Sequence, residues 1–422
     1  MHTIAGIDQN PKLGYYKVGE EIFYSKPQAY TYAFEKNLGV SWHFNNTEFA
    51  RQTWTVEPKS NIRELYCLRA QQLRDRYDYI RLECSGGSDS TTALYSFVLN
   101  NIHLDEVVFR YPKAGEKGMT GEVHDYRAEN TLSEWEFAAR PLFNWIATNY
   151  PAIKLTVHDY SENITNGDSL ADESWIFTTR DWYQPGHPAK FANFGSQEHR
   201  KQADTGKQIC VLHGVDKPKL VCINGHWYCY FVDVLANSPS PIREDYVNIT
   251  QELFYWTPDF PEMIIKQCHL IKNWFDMPEH AAFKHLVKYP VQNPNSRTEY
   301  EGIVKSIIYP DYDQLTWQTT KPTNSFYNEM DHWFYTNFAN TKQYHVWKAG
   351  LDYLVNHVDH KYVLFKSQGQ ATGLIWNKSL FYHLGPESNP LPRPAMSNHA
   401  HIVNTGEQIL LWQDQKVKRV TV

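Results

Sequence analysis

The run Tyr79-Ile80-Arg81-Leu82-Glu83-Cys84 leads into Ser85-Gly86-Gly87-Ser88-Asp89-Ser90, and that into Thr91-Thr92-Ala93-Leu94-Tyr95. The first run reads as a strand and the third as the start of a helix, so the middle stretch is a strand-to-helix turn. Two adjacent glycines open backbone conformations closed to other residues and let amides approach an anion closely. The helix that follows points its unpaired N–H groups and the positive end of its dipole at the same place. Ser85, Ser88 and Ser90 add hydroxyl donors, and Asp89 is placed to hold the magnesium that accompanies nucleotide phosphates. A ligand-free serine- and glycine-rich turn is the plainer alternative. The flanking strand and helix favour the anion site.

Ser85–Ser90 resembles the SGGxDS signature of the PP-loop, or N-type ATP pyrophosphatase, superfamily, with each defining position present. That group includes the synthetase domains of asparagine synthetase, GMP synthetase, NAD synthetase and 7-cyano-7-deazaguanine synthase, and several tRNA-thiolating enzymes. No Gly-Lys-Ser or Gly-Lys-Thr follows the glycines, which sets the loop apart from a Walker A motif. The resemblance covers residues 75–225 and implies an adenine nucleotide alpha-hydrolase-like fold. It also implies ATP and Mg2+ as the bound species, with phosphates on Ser85, Gly86, Gly87, Ser88, Asp89 and Ser90 and magnesium on Asp89. In the implied chemistry a carbonyl or carboxylate oxygen attacks the α-phosphate, pyrophosphate leaves, and ammonia, an amine or sulfur displaces AMP.

The chain has 422 residues, more than one ordinary domain, so two or three are expected. A hydrophobic fraction of 42% and a charged fraction of 21% are those of a soluble globular protein. Aromatics reach 15%, which points mainly to large packed cores. A formal net charge of −6 argues against coating nucleic acid through the overall field, leaving only a local basic patch for such a role. Neither a signal peptide nor a membrane span is expected, and the cytoplasm is the expected location. Cys67, Cys84, Cys210, Cys222, Cys229 and Cys268 contain no Cys-x-x-Cys pair. That spacing suits thiols in a reducing compartment rather than a disulfide framework or a zinc ribbon.

Three units are expected: a small N-terminal α+β unit at 1–60, the ATP pyrophosphatase domain at 61–245, and a helical, aromatic-rich accessory region at 246–422. In the first, residues 15–24 read as a hairpin and 28–35 as a helix. Asn61 is placed to cap a helix running to Leu73. Strands are expected at 79–84, 106–111, 153–157 and 208–212, with a helix capped by Ser133 and Glu136 between the second and third. Strands alternating with helices predict an α/β fold, a parallel sheet with helices on both faces. Ligands of such sheets bind beyond the carboxyl ends of the strands. Asn224-Gly225 predicts a type I′ hairpin turn. In the last unit a helix over 262–272 is the clearest element, and Lys416–Arg419 reads as a solvated basic tail.

The loop His213-Gly214-Val215-Asp216-Lys217-Pro218-Lys219 falls at the same rim as Ser85–Ser90. Gly214 permits close backbone approach, Asp216 is a second candidate for magnesium, and Lys217 or Lys219 would neutralise leaving pyrophosphate. A polar turn before the hairpin is the alternative. Arg110 and Lys113 follow the second strand, where related enzymes contact adenosine; a surface salt bridge is the other reading. Glu122, His124, Asp125 and Arg127 form a polar cluster that either lines the substrate site or lies in a solvated loop. The Gly- and Pro-rich stretch 183–199, with His187 and His199 as candidate bases, reads as a lid. Cys84 reads as a small buried strand residue, while Cys210 and Cys222 are candidates for a persulfide.

The expected function is an ATP-dependent synthetase that adenylates a carbonyl or carboxylate substrate and then forms a C–N bond. Asp89, Asp216 and Lys217 are its candidate catalytic residues. Glutamine-using asparagine synthetases expose an amino-terminal Cys after Met1. This chain has His2 there and its first cysteine at Cys67, so no such glutaminase is expected. Ammonia, an amine-bearing small molecule or nucleoside, or a separate ammonia-supplying partner remain as nitrogen sources, and an oligomer is compatible. The whole pattern is also similar to PP-loop proteins of large tailed phages labelled asparagine-synthase-like, which implies the host cytoplasm. Two alternatives stand beside this reading: a thiolating or nucleobase- or tRNA-modifying enzyme, and a nucleotide-binding module without catalysis that acts through a partner.

Overall fold

A computed structural model describes residues 9–111, 135–159, 176–177, 201, 204–233, 247–288, 295–312, 339–340, 342–365, 371–388, 408–411 and 417–420. Strands β1 (Tyr15–Val18), β2 (Glu21–Phe23) and β3 (Val40–His43) form an antiparallel sheet in the order β2-β1-β3. Between β2 and β3 lies α1 (Lys26–Lys36), with Ser25 accepting from the Gln28 amide and Asn37 ending the helix in the left-handed conformation. A short α2 (Asn46–Ala50) follows. The expected α+β unit is thus present, yet its core is not its own. Phe49 stacks on Phe231 at 4.9 Å and Trp54 on Tyr382 at 4.6 Å, so aromatic packing runs without a break into the rest of the chain.

Helix α3 (Ile62–Arg76) starts in a complete capping box between Asn61 and Glu64 and delivers the chain into β4 (Tyr79–Glu83). After β4 come α4 (Ser88–Val98), β5 (Glu106–Tyr111), α5 (Arg140–Asn149), β6 (Lys154–Asp159) and β7 (Ile209–His213). Helical turns precede α5 from Trp135, and Ser133 lies outside the described residues. A hairpin, β8 (Lys219–Ile223) and β9 (His226–Tyr230), follows β7. Asn224 and Gly225 turn it with φ of 52° and 79°, as the Asn-Gly pair predicts. Strand β10 (Ile249–Leu253) then pairs with β7.

The five strands form one parallel sheet in the order β10-β7-β4-β5-β6, an α/β architecture. Alternation along β4 and β7 sends Ile80, Leu82, Cys210 and Leu212 into the main core with Leu65, Leu73, Leu94 and Phe97 of α3 and α4. The opposite face carries Ile209, Val211 and Ile249, packed against Tyr79. The expectation of helices on that second face falls on the β6–β7 connection, most of which lies outside the described residues. From β4 the chain moves outward through β5 to β6, then returns to the other side of β4 at β7. The strand order therefore reverses between β4 and β7, the position at which ligands of such sheets bind.

Strand β10 lies past the expected boundary at 245/246, and its residues 249–253 complete the parallel sheet. Gln251 and Glu252 hid the strand in the sequence. Both are buried, Glu252 paired with Arg69 at 3.1 Å and accepting from the Tyr77 hydroxyl at 2.7 Å. The rest of the C-terminal region is mixed rather than helical. It contains α6 (Pro261–Asp276), the 3-10 turns of Pro278–Val287, α7 (Asn295–Ile308) and α8 (Lys342–Asn356). It also contains the paired strands β11 (Val363–Phe365) and β12 (Ala371–Leu374), and β13 (Tyr382–Pro386), which pairs with β9. Within the segment expected to be a solvated basic tail, Val417–Val420 form β15, paired antiparallel with β14 (Gln408–Leu411).

One buried carboxylate ties the first unit to the last. Asp233, 1% exposed, pairs with Lys26 at 2.6 Å and accepts from the Tyr16 hydroxyl at 2.9 Å and the Asn377 amide at 2.8 Å. Removing it strands a buried ammonium, which costs about 3–5 kcal/mol. Asp233→Ala is therefore expected to lower the unfolding free energy in urea by that amount, whereas an exposed substitution such as Glu20→Ala leaves it unchanged.

Candidate nucleotide site

Gly87 caps α4 in an extended conformation, and Gly86 enters the left-handed region at φ +74°. A Cβ on Gly86 would lie 2.7 Å from the Ala138 carbonyl carbon, so glycine is required for the turn to pack under the 135–139 segment. The hydroxyls divide their work. Ser90 Oγ accepts from the Ser85 amide at 3.3 Å and donates to the Gly87 carbonyl at 3.2 Å, closing the turn from inside. Ser85 Oγ accepts from the Gly87 amide at 3.4 Å. Ser88 Oγ and Thr91 Oγ1, both buried in the first turn of α4, make no hydrogen bond among the described residues. Buried hydroxyls in that state are exceptional.

The second loop leaves β7 and meets the first directly. Lys217 Nζ, on a side chain 5% exposed, contacts Asp89 Oδ1 at 2.8 Å and Oδ2 at 2.7 Å, and Asp216 Oδ1 at 3.0 Å. Lys219 pairs with Asp216 Oδ2 at 3.1 Å and with Glu301 of α7 at 3.3 Å. The Val215–Asp216 peptide is cis. Gly214 permits close approach, as its position predicts, but to protein: a Cβ there would lie 2.7 Å from Ser90 Cα. The two loops therefore interlock backbone to backbone.

Burial opposes the charged forms of Asp216 and Lys217, and their mutual attraction overrides it. The Lys217 ammonium, then that of Lys219, holds the Asp216 carboxyl well below the usual carboxylate range. Asp216, then Asp89 and Glu301, raises Lys217 well above the usual lysine range. Three carboxylates, Asp89, Asp216 and Glu301, face two ammoniums, Lys217 and Lys219, so the formal charge of this cluster is one negative. No group of three or more His, Cys, Asp or Glu side chains arranged to hold a metal occurs among the described residues. Magnesium at a nucleotide site needs only one or two carboxylates, with phosphate and water filling the rest. Asp89 and Asp216 already share one cation, the Lys217 ammonium, so the donor set fits.

Residues missed in the sequence complete the site. Tyr255, directly after β10, donates to the Asp89 carbonyl at 2.7 Å, and Tyr309, just past α7, donates to Asp89 Oδ1. Neither belongs to a motif, and 28 tyrosines offer no way to single them out.

Arg110 lies within β5 and is engaged by protein. It donates to Glu83 from Nε and Nη2, each at 2.9 Å, which favours the salt-bridge reading over the adenosine contact. Arg81 adds a contact to Glu83 at 3.3 Å, and His213, buried at the end of β7, meets Gln251 at 2.9 Å. Burial, supported by the nearby guanidiniums, lowers the His213 pKa and keeps the ring neutral. Lys113, Glu122, His124, Asp125, Arg127, His187 and His199 lie outside the described residues. All six cysteines are thiols. Burial, then the charge of Glu252, raises Cys210 far above the usual thiol range, and burial with Glu387 pushes Cys222 up to about 12. Neither is prepared to act as a thiolate.

Burial would raise the Glu83 pKa, but Arg110 and then Arg81 outweigh it and hold the carboxyl at about 2, against an ordinary 4.5. A depressed folded-state pKa stabilises above the unfolded value, and the contribution is lost as pH falls through the folded one. Between pH 5 and pH 2 the chain is expected to lose about 3 kcal/mol through this group. Glu83→Gln should be less stable than the parent at pH 7 and show a shallower acid dependence in denaturant titrations. An acid dependence equal to the parent's would remove Glu83 from this role. Compared with known proteins, the chain matches no family model and no curated sequence, so its functional reading rests on the geometry of this rim.

Proposed function

We propose that the chain is an AMP-forming, ATP-dependent synthetase that adenylates a carbonyl or carboxylate substrate and then joins it to ammonia or an amine. The observation that carries this reading is the meeting of Asp89 and Lys217 at the reversal point of the sheet. Two loops from separate strands converge there on one small volume. One supplies a helix N-terminus with unengaged hydroxyls, the other two lysines and a carboxylate. The strand order and the Ser85–Ser90 turn together favour the adenine nucleotide alpha-hydrolase-like variant of the α/β fold.

In this reading the amides of the turn and the first-turn hydroxyls of Ser88 and Thr91 donate to the β- and γ-phosphates. Asp89 and Asp216 would hold magnesium, which supplies the charge that makes a polyphosphate welcome at a cluster one charge negative. Lys217 and Lys219 neutralise the charge that builds on pyrophosphate as it leaves the α-phosphorus. Gly214 keeps the donors of the second loop against the first, so they are in place before the bond breaks. Arg110 serves indirectly, fixing Glu83 at the end of β4 and with it the start of the turn. The raised thiol pKa values of Cys210 and Cys222 disfavour a sulfur route.

Incubation with Mg2+, ATP and a panel of carboxylates, nucleosides and tRNA tests the proposal. AMP and pyrophosphate are the expected products in the presence of the right acceptor. Lys217→Ala is expected to lower turnover by about 100-fold or more, the scale for losing one donor to developing charge. ADP as the product, or a fully active Asp89→Ala, would contradict the proposal.

A further inference from the structure

Helix α7 reaches the rim from a part of the sequence remote from either loop. Tyr300 donates to the Pro218 carbonyl at 2.9 Å and accepts from the Leu220 amide at 3.1 Å. Glu301 pairs with Lys219, and Tyr309 donates to Asp89 Oδ1. The segment that carries Tyr309 is itself anchored. Tyr66 of α3 donates to the Ile308 carbonyl at 2.6 Å, while Arg63 Nε lies 3.0 Å and 3.1 Å from the two Asp311 oxygens. The Tyr309 ring is 2% exposed and leans on Tyr255 with centroids 5.6 Å apart.

The two contacts on the Asp89 carboxylate differ in stiffness. Lys217 reaches it at the end of a four-carbon stem that would follow the carboxylate if it turned. Tyr309 is a rigid phenol whose backbone is tied to α3, the helix that leads into β4. We propose that Tyr309 is a positioning residue whose hydroxyl fixes the Asp89 carboxylate, making α7 part of the nucleotide site. The kinetic consequence rests on the adenylation reading; the positioning itself does not.

Tyr309→Phe keeps the packed ring and removes the O–H. In the full chain it is expected to lower kcat for AMP release by about tenfold or more, with KM for Mg·ATP unchanged within about threefold, since a misplaced group costs rate rather than binding. A fall in kcat of less than about threefold overturns the proposal. Urea unfolding of Tyr309→Phe, Asp89→Asn and the double variant gives a readout independent of turnover. Coupling of about fivefold or more in the unfolding constant is expected, and less than about twofold overturns the proposal. If the parent releases no AMP, the adenylation reading falls and this cycle alone decides. Should Tyr309→Phe not fold, Arg63→Ala loosens the anchor from an exposed side chain, and an unchanged kcat in that variant overturns the proposal.

Discussion

The rim is organised around a buried ammonium. Lys217 carries its charge into a place that water barely reaches, and an uncompensated ion there costs several kcal/mol. Compensation requires Asp89 from the loop after β4 and Asp216 from its own loop to stand on either side of it. The requirement fixes the separation of two loops that share no sequence. Gly214 is the steric condition for the same contact, because any side chain at that position would push Ser90 away. Charge and backbone packing thus demand one arrangement of the two loops at the ends of β4 and β7.

The same pairing gives the proposed chemistry its electrostatic character. Asp89 and Asp216 are each engaged by a lysine, so opposite charges are already gathered at the rim. Its balance of three carboxylates to two ammoniums leaves the cluster one charge negative, so in the proposed reading a polyphosphate would enter together with a divalent cation. The first turn of α4 offers the complement, with its dipole, its amides and the hydroxyls of Ser88 and Thr91, which make no hydrogen bond among the described residues. Tyr255 and Tyr309 then hold Asp89 by its backbone and by its carboxylate.

Much of this was legible in the sequence because it is local. The Asn61 cap, the hairpin at 15–24, the turn at Asn224-Gly225, the strands β4 to β7 and the Ser85–Ser90 turn all declare themselves within a few residues. The polar loop after β7 was legible too, and Asp216, Lys217 and Lys219 stand where the rule for parallel sheets puts them. What stayed hidden depends on contacts across the chain. Strand β10 fell inside the region expected to be helical; Glu252 is polar, and only Arg69, nearly two hundred positions earlier, makes it a buried strand residue. Arg110 was ambiguous until its partner Glu83 was in view. Tyr255, Glu301 and Tyr309 carry no local signal, since a tyrosine or glutamate becomes a site residue only when the fold brings Asp89 or Lys219 to it.

The most direct test of the central claim is a crystal structure of the full chain with Mg2+ and α,β-methylene ATP, which binds like ATP but cannot release pyrophosphate. The account expects the β- and γ-phosphates on the Ser85–Ser90 turn within hydrogen-bond reach of Ser88, with Lys217 turned from Asp89 toward the phosphate chain. An analogue seated away from this rim, or a rim still closed by the Asp89–Lys217 pair with the analogue bound elsewhere, would contradict it.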